Sequence, residues 1–267
     1  MKSKTMKAGT IGMALGALMI GLFFLPAGMS AQMPAQKTGA GIRVLSSDGM
    51  EPAMRDLTPR IETKIGRKLN SQFDSSKKLA DKIQAGEGFD VAILTTSAVD
   101  DLIKQGKIAA GGHAEISRTG MGIGVRAGAP KPDISTPEAL KRTLLNAKSI
   151  SFNPTGASAA HTYDMLARLG ITEAIKPKLM LDAEAGRPQM NVAGGKAELV
   201  ISLIPEIRFF PGVDLVGPVT SEFQSYVNFA GGIATNAQDK DAAKALIQFI
   251  TGPGVVPVLK AKGMEPR

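Results

Sequence analysis

The sequence contains no cysteine and no tryptophan, and aromatic residues make up only 4% of its 267 positions. Without cysteine there are no disulfides, zinc–thiolate sites or thiol catalysis, so stability must come from apolar cores. The few aromatic rings argue against a sugar-binding pocket, because stacked rings usually grip the apolar faces of sugars. Blocks of lysine and arginine are also missing. The formal net charge of +8 is spread along the chain, so we expect no nucleic-acid partner.

The beginning of the chain has the order of a secretory signal peptide. Three lysines come first, residues 9–25 are almost wholly apolar or small, and small residues follow. We predict a signal peptide over residues 1–31, cleaved after Ala31, with Ser30 or Ala35 as alternative sites. An uncleaved membrane anchor is the other interpretation, but the apolar run is short for a bilayer, which needs ~20 apolar residues. No cysteine follows the run, so no lipid anchor is expected.

Cleavage would leave a mildly basic, periplasmic chain of about 235 residues with a formal charge of +5. That charge agrees with an anionic ligand. The length is enough for one large domain or for two lobes of ~100 residues each.

From Ile42 onward, short apolar runs alternate with amphipathic stretches, which predicts βα units on mostly parallel sheets. The predicted strands are 42–47, 69–73, 89–95, 116–130, 149–153, 178–181, 199–203 and 225–235. The predicted helices are 51–65, 75–84, 98–105, 136–147, 157–169, 187–194 and two more near the C-terminal end, the first with Asp239 as a possible N-cap. Pro59 should kink or restart the first helix near Thr58.

Two glycine-bearing extended stretches, 116–130 and 225–235, bracket a complete βα series. This arrangement predicts a discontinuous first lobe and a second lobe inserted into it, joined by a two-strand hinge. The predicted bounds are 40–118 plus 226–267 for lobe 1 and 119–225 for lobe 2, with crossovers near 117–124 and 219–227. One continuous open sheet is the alternative.

Three strand-to-helix junctions are rich in small and hydroxyl residues: 46–49 (SSDG), 74–76 (DSS) and 155–158 (TGAS). In α/β sheets such turns lie at the carboxyl ends of strands, where ligands bind. Each also presents a helix N-terminus, whose free N–H groups and partial positive charge attract anions. An ordinary helix cap explains any one of them, whereas three in corresponding positions favour an anion site between two lobes.

Residues 42–267 resemble the molybdate-type periplasmic solute-binding family of ABC transporters. The resemblance is carried by the serine-containing start at 45–49, the segment FDSSKKLADKIQAG at 73–86, the strand 90–94, RAGAPKPDISTPEALKRTLLNAKSI at 126–150 and GVDLVGP at 212–218. It implies a type II periplasmic-binding-protein fold: two α/β lobes that close on a two-strand hinge. It also implies a monomeric receptor that binds a small oxyanion and delivers it to an inner-membrane permease, without cofactor or metal.

The resemblance also implies a ligand site. The family's first-lobe serines fall on Gly49 and on Ser75 or Ser76, its second-lobe contacts fall near Ser158 and residues 185–186, and its binding tyrosine falls on Leu203. With neighbouring hydroxyls and one cation, the candidate ligand-binding residues are Ser46, Ser47, Gly49, Ser75, Ser76, Ser158, Ala159, Gly186 and Arg187. Lys77 is a further candidate cation.

A carboxylated ligand is the alternative, because Gly49 and Leu203 lack the hydroxyls that the family uses and Arg187 suits a carboxylate. Some proteins similar to this branch are exported isomerases that shift a double bond in a small tricarboxylate. Such a reaction needs a base beside an acidic C–H bond. The candidates for that base are His161, Asp48 and Asp74.

Overall fold

The computed structural model describes residues 41–267, so the predicted signal peptide lies outside the described residues. The strands are β1 (Ile42–Ser47), β2 (Leu69–Asp74), β3 (Val91–Thr95), β4 (Ala114–Arg126), β5 (Ile150–Phe152), β6 (Leu179–Leu181), β7 (Leu199–Leu203), β8 (Val213–Pro218), β9 (Tyr226–Ile233) and β10 (Glu265–Pro266). The helices are α1 (Glu51–Ile65), α2 (Ser76–Gln84), α3 (Thr96–Lys104), α4 (Pro137–Asn146), α5 (Ala159–Arg168), α6 (Thr172–Ile175), α7 (Arg187–Ala193), α8 (Ile204–Phe209), α9 (Lys240–Ile250) and α10 (Val256–Ala261).

The strands of the described chain pair in the order β2-β1-β3-β9-β4-β7-β5-β6, with β8 and β10 also paired to β4. The pairs among β1, β2 and β3 are parallel, as are those among β5, β6 and β7. Every pair that involves β4 or β9 is antiparallel. The predicted α/β class is confirmed, as a mixed rather than mostly parallel sheet, because β4 and β9 run against their neighbours.

A single strand of 13 residues, β4, connects the two parallel sets. Residues 114–120 pair with β9, and residues 121–126 pair with β7 and β8. The glycines here make room for neighbours: a methyl group on Gly122 would lie 2.9 Å from Leu215 Cδ1, and one on Gly124 would lie 2.8 Å from Val200 Cγ1. The division into two lobes and its hinge remains a prediction.

Local capping explains where several helices begin. Ser75 caps α2 by accepting from Lys78 N at 3.4 Å, and Thr136 caps α4 by accepting from Ala139 N at 3.1 Å. The predicted cap at Asp239 is confirmed, since its carboxylate accepts from Ala242 N at 3.1 Å. These side chains satisfy N–H groups that have no partner inside the helix.

The predicted restart near Thr58 was wrong, because α1 runs unbroken past Pro59 to Ile65. The helix tolerates the proline because its inner face is anchored in the core, where Met54, Leu57 and Ile61 are at most 1% exposed.

Within residues 41–267 no single helix is long and apolar enough to cross a membrane, although α9 and the 253–261 segment, bent by 58°, pass that test as a pair. No group of three or more His, Asp or Glu in this part of the chain is arranged to hold a metal ion.

Candidate functional site

The turn after β1 is packed tightly around its own carboxylate. Ser46 and Ser47 are fully buried. Asp48 Oδ1 accepts from Gly49 N at 2.9 Å and from Ser47 Oγ at 3.3 Å. A methyl group on Gly49 would lie 2.7 Å from Phe229 Cζ and 2.9 Å from Leu203 Cδ1. The Gly49 backbone N–H, which the sequence suggested as a donor to an anion, therefore already donates to Asp48.

The turn after β2 repeats this arrangement one strand away, since Ser47 and Asp74 are paired in the sheet. Asp74 Oδ1 accepts from Ser75 N at 2.8 Å. Ser76 Oγ accepts from Thr95 N at 3.0 Å, which ties the start of α2 to the end of β3. Because that bond uses a lone pair, the Ser76 O–H remains able to donate.

The turn after β5 is ordered by Asn153, whose side-chain oxygen accepts from Thr155 N at 2.9 Å and from Thr155 Oγ1 at 3.0 Å. Ser158 and Ala159 are buried, at 4% and 7% exposure. Ser158 contributes its carbonyl to α5, accepting from Thr162 N at 2.8 Å. The accessible part of this junction is thus Thr155, Gly156 and Ala157.

A cavity of about 750 Å³ is lined by the turns after β2 and β5, and not by the turn after β1. Its walls are one face of α2 and one face of α3, each from its first to its last turn, the loop before α5 with the first turn of that helix, and the first residues of β9. Three acidic residues, Asp81, Asp100 and Asp101, also line it. The polar groups most relevant to an anion are Ser76, Lys77, Thr96, Ser97, Thr155 and His161.

Of the predicted ligand-binding residues, Ser76 lines this cavity. The remaining eight do not. Gly186 begins α7 with a left-handed φ of 75°, and the Arg187 side chain, 44% exposed, pairs with Glu184 at 2.9 Å. Lys77 and His161 do line the cavity, and Lys77 pairs with Asp81 at 2.8 Å.

Sequence reasoning missed the junction between β3 and α3. Thr95, Thr96 and Ser97 place three consecutive hydroxyls after a buried apolar strand, and all three line the cavity. This junction also meets the criterion used for the other three, which is a run of small and hydroxyl residues between a strand and a helix. Its hydroxyls and the N-terminus of α3 add donors on the same side as Ser76.

A second polar group lies where the β1 turn meets the start of α8. Glu206 accepts a hydrogen bond from Ser202 Oγ, and Ser202 Oγ accepts one from Gln189 Nε2 at 3.0 Å. Burial, followed by the negative charge of Asp48, raises the pKa of Glu206 to about 8. Burial likewise raises the pKa of Asp48 to about 6, with Asp74 adding to the effect. Burial thus favours the neutral form of both carboxyl groups, and the charge of Asp48 adds to this effect at Glu206.

The order of strands and the cleft at their carboxyl ends define a class, the α/β solute-binding proteins. A family model described as bacterial extracellular solute-binding protein matches residues 42–265. The chain belongs to this family, and the predicted relation to molybdate-type binding proteins is confirmed.

Three comparisons make the relation more specific. The chain is 27% identical over 260 residues to an aconitate isomerase from a Pseudomonas species, which covers 95% of each chain. It is 27% identical over 231 residues to the molybdate-binding protein ModA of Azotobacter vinelandii, covering 84% of this chain and 89% of that one. The solved periplasmic molybdate-binding protein of A. vinelandii has a TM-score of 0.70 at 15% identity, covering 84% of this chain and 98% of that chain.

Proposed function

We propose that this chain is exported to the periplasm, captures a small anion in the 750 Å³ cavity and delivers it to an ABC permease. The observation that carries the proposal is the lining of this cavity by hydroxyl-bearing junctions from three strand ends. Helices α2, α3 and α5 all begin there, so their N-termini and hydroxyls supply neutral donors. Such donors bind anions without a countercharge.

The ligand is either an oxyanion of the molybdate kind or a small di- or tricarboxylate. The acidic residues on the cavity wall oppose a compact dianion more strongly than an extended ligand whose charges are spread, because repulsion falls with distance. We therefore favour a polycarboxylate, held by the Ser76, Ser97 and Thr155 hydroxyls.

A thermal-shift screen tests this proposal, with molybdate, tungstate, sulfate, phosphate, citrate and trans-aconitate as probes. A ligand that binds the folded state raises the melting temperature by mass action. If none of these probes changes the melting temperature, the anion-binding proposal fails.

Ser97→Ala tests the location of the site. Ser97 is exposed, so its removal should leave stability nearly unchanged while weakening binding of the positive probe about tenfold, the value of one hydrogen bond to a charged group. Ser221→Ala, at an exposed serine outside the cavity lining, is the matched control and should bind as wild type does. If wild type, Ser97→Ala and Ser221→Ala bind the probe with equal affinity, the anion does not bind beside Ser97.

Ser75→Ala with Ser76→Ala tests the same site less cleanly than Ser97→Ala does. Ser75 Oγ caps α2, and Ser76 Oγ accepts from Thr95 N. Removing both hydroxyls should weaken binding and also lower the free energy of unfolding by about 1–2 kcal/mol.

A second candidate function is isomerisation of an unsaturated polycarboxylate, supported by the match to an aconitate isomerase over 95% of both chains. Of the three candidate bases, Asp74 lies 3.5 Å from Lys78 Nζ and His161 lines the cavity. Asp48 has a pKa raised to about 6, which suits a base acting near neutral pH. Incubating the purified protein with trans-aconitate and following the products by proton NMR tests this function.

A further inference from the structure

Each of the three acidic residues on the wall of the 750 Å³ cavity has a basic side chain as its partner. The carboxylates of Asp81 and Asp101 lie 2.8 Å and 3.0 Å from the Nζ atom of a lysine. Asp100 has His113 instead, with 2.7 Å between Asp100 Oδ1 and His113 Nδ1. Lysine stays charged near neutral pH, whereas histidine loses its charge there. Asp100 is therefore the carboxylate whose partner depends on pH.

The contacts of His113 require a charged ring. Its Nδ1 contacts Asp100, and its Nε2 lies 2.8 Å from Glu115 Oε1, so each ring nitrogen faces a carboxylate oxygen. An ionised carboxylate only accepts hydrogen bonds, and a neutral imidazole has a single N–H group to donate. Both hydrogen bonds therefore form together only when His113 is an imidazolium ion.

This histidine cluster, made of His113, Asp100 and Glu115, joins α3 to the start of β4. Asp100 lies on α3, Glu115 lies on β4, and His113 directly precedes β4. Thr96 Oγ1, in the first turn of α3, also donates to Glu115 Oε1 at 3.4 Å. Thr96 and Asp100 both line the cavity. The histidine cluster thus includes or contacts two residues of the α3 wall of the proposed anion site.

The two carboxylates favour the charged form of the ring. The hydrogen bonds that it donates to Glu115 and to Asp100 raise the pKa of His113 above its ordinary value of 6.5, and burial opposes this effect in part. A raised pKa of this kind stabilises the folded state below the ordinary pKa, and the contribution is lost as the pH rises through the folded-state pKa. The histidine cluster is therefore complete below pH 6.5 and loses its central charge at higher pH.

The neighbouring elements add little charge at the ring. Strand β9 pairs with the start of β4 through residues 230–231, an alanine and a glycine. On α9, Lys240 and Lys244 line a separate pocket with residues 109–112, and His113 is not part of that lining. The two carboxylates of the histidine cluster therefore decide whether the ring is charged.

We propose that His113 is a specificity-determining residue of the anion site and that it acts by offsetting the charge of Asp100. The inference rests on the anion-binding function proposed above. With the ring protonated, its positive charge compensates the Asp100 carboxylate on the cavity wall. When the ring loses its proton, that carboxylate is uncompensated and the cavity binds anions less tightly, most of all anions that carry several charges.

The expected loss of affinity is modest and measurable. One uncompensated charge that acts on a dianion ~10 Å away through water weakens binding about fourfold at low ionic strength. Salt screens such a charge, so the loss should nearly vanish at 1 M NaCl. A change in packing would not depend on salt in this way.

The chain has only two histidines, which simplifies the test. His161 also lines the cavity, so the measurements use the His161→Gln protein, in which His113 is the remaining histidine. Calorimetry with trans-aconitate and with molybdate at pH 6 and pH 9 measures the affinity. The carboxylates of trans-aconitate stay ionised over this range. We expect this parent protein to bind about fourfold more weakly at pH 9 than at pH 6.

Three variants of the parent protein separate the charges. His113→Gln should bind at both pH values as the parent does at pH 9. Asp100→Asn should bind at pH 9 as tightly as the parent does at pH 6, because the uncompensated charge is gone. Asp101→Asn is the matched control: it is adjacent on α3 and lines the same cavity, but its partner is a lysine. This control should keep the fourfold difference between the two pH values.

Proton NMR tests the histidine cluster without a ligand. In the parent protein the signals of a single imidazole ring follow the pH, and we expect a midpoint above 6.5 that falls in Asp100→Asn. The dispersion of the remaining signals shows whether each variant is folded. A midpoint at or below 6.5 in the parent would contradict the inference, because the ring would then not hold both carboxylates.

The outcomes separate this inference from the function on which it rests. If His113→Gln keeps the pH dependence of its parent, or if the loss at pH 9 persists at 1 M NaCl, the role of His113 is wrong and the anion-binding function stands. If neither trans-aconitate nor molybdate binds at either pH, this inference fails, and the thermal-shift screen decides the anion-binding function.

Discussion

The turns after β1 and β2 share one backbone contact, but their aspartates lie in different electrostatic environments. They are neighbours, with Ser47 paired to Asp74. In each turn an aspartate binds the next backbone N–H, from Asp48 to Gly49 at 2.9 Å and from Asp74 to Ser75 at 2.8 Å. Both carboxylates therefore occupy donors that an anion would otherwise use.

What differs is the surroundings of each carboxylate. Asp74 has Lys78 Nζ at 3.5 Å and Lys82 Nζ at 3.9 Å. Asp48 has no such cation among the groups that act on it, and burial, with the negative charges of Asp74 and Glu51, raises its pKa to about 6. The same backbone contact can therefore hold a carboxylate with an ordinary environment or one with a raised pKa, because burial and the neighbouring charges decide which protonation state is favoured.

The largest expected effect comes from removing the acid opposite the β1 turn. Because the pKa of Glu206 rises from 4.5 to about 8, the folded protein holds a proton that the unfolded chain has already released. This contribution to stability is complete below about pH 4.5 and is lost as the pH rises through 8, on the order of 4–5 kcal/mol.

Glu206→Gln should remove this loss, so that its free energy of unfolding changes less than that of wild type between pH 5 and pH 9. Guanidinium unfolding at both pH values measures it. Glu173→Gln should keep the wild-type difference, because its side chain is exposed. The same slope in all three proteins would mean that Glu206 is ionised at neutral pH.

The next effect concerns the space in the β1 turn. Gly49→Ala would place a methyl group 2.7 Å from Phe229 Cζ and 2.9 Å from Leu203 Cδ1. We expect a loss of about 1–3 kcal/mol from overpacking. The matched control is Gly217→Ala in β8, where the nearest atom would be Ile134 Cδ1 at 3.6 Å. If both variants unfold at the same denaturant concentration, the β1 turn is less tightly packed than the distances to Phe229 and Leu203 indicate.

The β2 turn, by contrast, carries a helix cap. Ser75→Ala removes the acceptor of Lys78 N, and we expect a loss of about 1 kcal/mol. Urea unfolding at pH 7 measures this, with exposed Ser221→Ala as the comparison. A stability loss no larger than that of the control would show that water replaces the cap without cost.

The smallest effect comes from the cations beside Asp74. The Lys78 and Lys82 side chains are 37% and 38% exposed, so their pairs with Asp74 are screened by solvent. Lys78→Gln with Lys82→Gln should cost less than about 1 kcal/mol at low salt and nearly nothing at 1 M NaCl. Exposed Lys244→Gln is the control. A loss that persists at high salt would point to packing rather than charge.

The bounds of several strands and helices could be predicted from the local spacing of apolar residues and glycines in the sequence. The strand at 199–203 and the helix at 51–65 have the predicted bounds, because apolar periodicity and the left-handed Gly66 mark their ends clearly. Helix α8 and strand β8 were missed; a helix of six residues, with a proline in its first turn, is too short to show a periodic pattern.

The candidate site was harder to predict for a physical reason. Ser76 could be predicted because the small and hydroxyl residues of its junction are adjacent in the sequence. Glu206 was not predicted, because its raised pKa depends on burial and on the charge of Asp48, which is distant in the sequence. Gly49 likewise looked like an open donor until its contacts with Leu203 and Phe229 were placed.

The hydrogen bond from Thr95 N to Ser76 Oγ also bears on engineering of this cleft. A mutant library that randomises position 76 would disturb two helix starts at once, so we expect many of its members to be less stable than wild type. Positions 97 and 155 carry hydroxyls on the same cavity without tying two elements together. A search for new ligand specificity should therefore hold residue 76 constant and vary those two.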